Sequence, residues 1–259
     1  MEIRKVPAAH GWLWIKNGFF LILRNPILTF VLAGIVALVF FLLFLIPFFG
    51  PFLGILLAPA LVAGYMCALQ ASERHEEMEI AHLFAGFGKF APHLITLGGI
   101  LLIGVITSSA VMSAIGGEAL PAFLETVQST TDPKVIMEAL LSADPAVTHA
   151  MLVGILLLLL LSVCLQFTPM LVIFDGVKPL AAIKANTLGV FRNISSYAIY
   201  GLLLQVITFL VSGLPFFLSM LLLLPIGMAS LYAAYRDIYI ELKESPRTVK
   251  EEEGIAHND

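Results

Sequence analysis

Residues 27–48 read ILTFVLAGIVALVFFLLFLIPF, a run with no charged side chain. About 20 helical residues cross the hydrocarbon core of a bilayer, so this stretch is long enough to span one. The pattern recurs outward from it. Further uncharged stretches run from Phe52 to Gln70, His93 to Ile115, His149 to Phe174, Tyr197 to Leu214 and Phe216 to Tyr235. The whole chain of 259 residues is 59% hydrophobic and only 12% charged. A soluble domain carries about 25% charged residues, so this chain cannot cover a globule with solvated side chains. The composition also excludes a disordered, collagen-like or disulfide-stapled protein. The expected fold is all-α and integral to the membrane, with six transmembrane helices.

The scarce charges orient those helices, because cytoplasmic loops carry the Lys/Arg excess. Of the 14 basic residues, all but Lys134 fall on one side: Arg4, Lys5, Lys16, Arg24, Arg74, Lys89, Lys178, Lys184, Arg192, Arg236, Lys243, Arg247 and Lys250. The segment 116–147 holds Lys134 among Glu118, Glu125, Asp132, Glu138 and Asp144. Both termini are therefore expected in the cytoplasm, with 116–147 outside. No secretory signal is expected. Arg4 and Lys5 resemble a basic leader, but the first long apolar run starts only after Pro26 and is too long for one. Cys67 and Cys164 sit in apolar runs and read as small hydrophobes. A net charge of −4 is no footprint for a nucleic acid, and none is expected as a partner.

Between the spans lie three amphipathic segments, 10–24, 77–90 and 178–191. In the first, His10, Asn17 and Arg24 recur every seven residues on an otherwise apolar helix, which fits a helix lying in the interface. Trp12 and Trp14 read as its headgroup-level anchors, and Tyr232, Tyr235 and Arg236 as anchors closing the last span. Leu23-Arg24-Asn25-Pro26, Phe90-Ala91-Pro92-His93 and Phe191-Arg192-Asn193-Ile194 occupy matching places before a span. The second span of each pair carries a proline, Pro59, Pro169 and Pro225, followed by Tyr65, Phe174 and Tyr232. Proline frees a backbone carbonyl and kinks a membrane helix. The expected plan is three pseudo-repeats of interfacial helix plus helical pair. They form one membrane domain over 1–240, with an outside cap over 116–147 and a disordered cytoplasmic tail over 241–259.

Three stretches carry a resemblance: Arg4 to Lys16 (RKVPAAHGWLWIK), Leu83 to Phe87 (LFAGF) and Ser230 to Tyr239 (SLYAAYRDIY). In them the chain resembles an uncharacterised family of proteobacterial inner-membrane proteins. The plan is similar to that of YciC-type proteins and of the membrane domain of some glycerophosphodiester phosphodiesterases. The resemblance implies a six-span protein of the bacterial inner membrane. It carries no active residue across, and the phosphodiesterase catalytic domain is absent from this chain.

Candidate chemistry is sparse. His75, Glu79 and His82 share a helix face, and Glu79-x-x-His82 has di-iron spacing, but no second copy exists and a solvated face is the better reading. No Ser/His/Asp arrangement, Cys/His pairing or phosphate-binding loop stands out, so no enzymatic activity and no cofactor or metal are expected. The costliest polar groups inside the spans are Gln166 and Gln205, with Thr168 and Ser162 near the first. They read as interhelical hydrogen-bonding partners or as the lining of a polar cavity, and Gln166 and Gln205 are expected to meet across the fourth and fifth spans. Arg236 and Asp237 are expected to pair with the loop holding Asp175 and Lys178. Two functions fit: an accessory, scaffold or assembly component of a membrane complex, or organiser of lipid; and a transporter or channel for a small neutral or lipophilic solute.

Overall fold

A computed structural model describes residues 3–240; the expected tail, 241–259, lies outside them. The described residues are helical throughout, without a strand. Helix α1 (His10–Arg24) meets the first long helix, α2 (Pro26–Phe44), at Asn25. Proline at the first turn of α2 suits the helix start, where an N–H has no partner anyway. A tight uncharged turn, with Phe48 at φ 61°, leads into α3 (Phe49–Glu73). A short 3-10 helix, Ile80–Phe87, precedes α4 (Ala91–Gly116). Two small helices follow, α5 (Ala119–Gln128) and α6 (Pro133–Leu141). The next long segment is broken into α7 (Pro145–Leu165) and α8 (Thr168–Ile173). Helix α9 (Pro179–Arg192) leads to α10 (Ile194–Val211), and α11 (Phe216–Tyr235) ends in a π-helical turn, Arg236–Ile240. Six of these helical segments are long and apolar enough to cross a membrane.

Asp132 and Asp144 each accept a hydrogen bond from the backbone N–H two residues on, at 2.9 and 2.7 Å, with proline between. These N-caps start α6 and α7 where Asp-Pro occurs in the sequence. At the acidic end of the bundle, Leu120 of α5 packs with Val147 and Ala150 of α7. Helix α6 buries none of its residues.

The bundle is built round α3. The share of its apolar window that is buried is 56%, against 11% for α10, which stands at the edge. Helix α4 packs on α3 and α7, and α2 on α3 and α11. The short helices pack on long ones: α1 on α11 and α10, the 3-10 helix on α3, and α9 on α7 and α8. The second amphipathic segment, expected as a helix over 77–90, is thus a shorter 3-10 helix. Gly86 and Gly88 weaken an α-helix there, and Gly86 lets the segment lie backbone to backbone on α3. A Cβ at Gly86 would strike Ala60, and one at Gly64 would strike Leu83.

Candidate functional site

The polar side chains that the fold brings together lie at the basic end of the bundle. Asp237, in the π-helical turn, is 7% exposed. A carboxylate that deep must be paired and hydrogen-bonded to be tolerated. The Trp14 indole N–H donates to its Oδ2 at 2.7 Å, His10 Nδ1 lies 2.6 Å from the same oxygen, and Arg4 Nη1 donates to Oδ1 at 3.1 Å. All three partners come from the first 14 residues. Asn193, between α9 and α10, holds the same segment. Its Nδ2 donates to the Arg4 carbonyl at 2.9 Å and its Oδ1 accepts from the Val6 N–H at 2.8 Å.

Two further carboxylates end the other proline-bearing spans. Glu73, closing α3, accepts from Tyr232 Oη at 2.7 Å and pairs with Arg236, while Arg24 donates to its backbone carbonyl at 2.9 Å. Asp175, after α8, accepts from Tyr235 Oη at 2.7 Å. Beneath these bonds an aromatic layer runs from Trp14 through Tyr197, Phe167 and Tyr239 to Tyr235 and Phe174, with neighbouring ring centroids 5.3–5.8 Å apart. Such pairs contribute about 0.5–1.5 kcal/mol each beyond burial. The α1 stripe of His10, Asn17 and Arg24 faces a cleft of about 350 Å³ shared with Glu73, Tyr232 and Arg236.

The break between α7 and α8 is stitched by side chains. Pro169 has no N–H to offer the Leu165 carbonyl; the Thr168 hydroxyl donates to it instead. The Asn186 carboxamide of α9 enters the helix between Val163 and Phe167. Its Nδ2 donates to the Val163 carbonyl and its Oδ1 accepts from the Phe167 N–H, both at 2.8 Å. One helical hydrogen bond becomes two, and Asn186 is fully buried. A pocket of about 250 Å³ lies at this break, lined by Ser162, Gln166, Thr168, Pro59, Pro169 and apolar side chains. The Gln166 side-chain nitrogen is buried without a hydrogen-bond partner among the described residues. An unpaired buried donor costs about 1–3 kcal/mol.

The structure therefore sorts the residues singled out in the sequence. Ser162, Gln166 and Thr168 share the pocket; Gln205 does not, because it sits on the exposed face of α10. Trp12 stays exposed, but Trp14 faces inward and is 1% exposed, because its indole serves Asp237. Tyr232 and Tyr235 are likewise buried, each donating to a carboxylate. Arg236 pairs with Glu73, and Asp237 with the N-terminal segment. Pro59 lies inside α3, Pro225 inside α11, and Pro169 opens α8. The Glu79-x-x-His82 pair is a helix cap: the Glu79 N–H donates to His82 Nδ1 at 3.0 Å while the Glu79 side chain accepts from the His82 backbone. Asn186 and Asn193 carry the signal sequence reading passed over, since a lone Asn in an apolar amphipathic helix beside a proline-broken span has backbone groups to serve.

A protein of Burkholderia thailandensis named "Probable inner membrane protein" is 26% identical to this chain over 209 residues, covering 78% of the chain and 75% of that protein. No family model matches the chain, and no solved structure matches it.

Proposed function

We propose that this membrane protein is a non-enzymatic component of the bacterial inner membrane, an accessory, scaffold or assembly factor of a larger membrane complex or an organiser of lipid. Helix α6 carries this reading. It has its own N-cap yet has no fully buried residue, with only Ile136 and Ala139 half-buried, and it leaves Val135, Met137, Leu140 and Leu141 exposed. Apolar surface presented beyond the bundle is what a partner or a membrane surface takes up. The carboxylates of the basic end support it too, since each is bonded within the chain. The name of the Burkholderia relative supports the compartment. The basic excess supports cytoplasmic termini, with α5 and α6 outside.

Pull-down at native expression in mild detergent, read by mass spectrometry, tests this. A defined membrane partner is expected with the wild-type chain and is lost with Leu140→Asp/Leu141→Asp. Recovery only as a free particle overturns it.

The plan we infer is three units of short helix, span and span, similar to that of YciC-type proteins and the phosphodiesterase membrane domain. Two observations support it. Each short helix packs on the second span of the unit before it, with α1 closing the circle on α11. Each second span also ends at a bonded carboxylate, Glu73, Asp175 or Asp237. The second reading, a transporter of a small neutral or lipophilic solute, is favoured by the pocket at the α7–α8 break. Gln205, outside that pocket, counts against it.

A further inference from the structure

We propose that the pocket at the α7–α8 break binds a lipophilic molecule bearing an uncharged acceptor oxygen, as a quinone ring or a fatty acyl ester does. The pocket is a site of mixed chemistry. Its walls are apolar, from Val62, Leu97, Leu101, Leu165 and Met228, and one polar side chain inside it is unsatisfied. Small-molecule sites share this pattern of apolar walls with a few converging polar groups. The buried Gln166 nitrogen offers N–H groups that no described residue accepts. Thr168, the nearest hydroxyl in sequence, donates to the Leu165 carbonyl.

Position defines the ligand further. Gln166 lies seven residues before the end of α8 at Ile173, about 10 Å at the helical rise. At that depth in the hydrocarbon a charged headgroup is excluded and a neutral carbonyl is tolerated. Ser162 is exposed at the rim, next to the exposed Leu158, Leu159 and Leu160, so the mouth faces acyl chains and not water. The molecule enters from the bilayer. This site is independent of α6 and of any partner held there.

The test uses the full chain in nanodiscs of phosphatidylethanolamine and phosphatidylglycerol. The probe is a phospholipid with a diazirine at mid-chain, with decylubiquinone as competitor. Photolabelling of residues 162–169 is expected in the wild type and at least fivefold less in Gln166→Leu, which keeps the shape and removes the donor. Should that variant fail to fold, Leu101→Trp fills the pocket from α4 and gives the same loss. Competition by decylubiquinone identifies a quinone-type ligand; persistent labelling under competition identifies an acyl ester. Equal labelling of wild type and variants, as for bulk lipid or a water-filled pocket, overturns the proposal, and so does the absence of labelling at 162–169.

Discussion

The indole of Trp14 donates to the carboxylate of Asp237 across 2.7 Å, joining residues 223 positions apart in the chain. Asp237→Ala removes the acceptor shared by Trp14, His10 and Arg4. Breaking a buried charged pair from one side costs about 3–5 kcal/mol, so a large drop in the thermal midpoint in detergent is expected. Asp237→Asn keeps an acceptor oxygen and loses less. Trp14→Phe keeps a ring against Tyr197 and Tyr200 and leaves Arg4 and His10 on the carboxylate, so it loses only the indole hydrogen bond, about 1–3 kcal/mol. A midpoint unchanged in Asp237→Ala would show that the N-terminal segment is not held there.

The break in the fourth span makes a second prediction. Asn186→Leu leaves the Val163 carbonyl and the Phe167 N–H facing an apolar side chain. Each unsatisfied group costs about 1–3 kcal/mol. Pro169→Ala alone does not close the helix while Asn186 occupies the gap. The double variant lets Val163 and Phe167 bond directly, so it is expected to be more stable than Asn186→Leu alone. Additive losses in this cycle, read by thermal unfolding, would refute the clamp.

Glycine substitutions should differ in sign. Gly64→Ala drives a Cβ into the backbone of Leu83 and separates the 3-10 helix from α3. Overpacking of this kind costs about 1–3 kcal/mol. Gly99→Ala, in α4, meets nothing within 4 Å and is expected to stabilise by up to about 1 kcal/mol through helix propensity. Chemical denaturation of the two variants side by side checks the order.

Topology is tested with single cysteines in a background lacking Cys67 and Cys164. A membrane-impermeant maleimide is expected to label Thr130→Cys in intact cells. Glu76→Cys should react only after permeabilisation. The reverse pattern would invert the orientation inferred from the basic residues.

The spans were legible because hydrocarbon admits so few charges. An uncharged run such as 27–48 has one stable conformation in a bilayer, and Asp132-Pro133 and Asp144-Pro145 announce their helix starts locally. What escaped reading depends on side chains far apart in sequence. His10 and Trp14 lie one turn apart on α1, but only the closure of α11 against it shows that both serve Asp237. Gln166 and Gln205 are chemically alike, yet α10 stands at the edge and turns Gln205 outward. The 3-10 helix was hidden because it follows from the close backbone approach of Gly86 to Ala60, which amphipathic periodicity does not encode.

The bond between the two ends of the described chain sets an order of biosynthesis. Arg4 and Asp237 are 233 residues apart. At ordinary rates of synthesis, roughly 5–20 residues per second, the first residues emerge on the order of ten to fifty seconds before their acceptor. Through that interval α1 exists without the helix it packs on, and its exposed Trp12, Phe19 and Leu23 give it a membrane surface to rest on. Membrane insertion of the last span is thus also the moment the first helix is captured. A ribosome that stalls before Asp237 leaves an inserted but unlatched protein, a distinct target for membrane quality-control proteases.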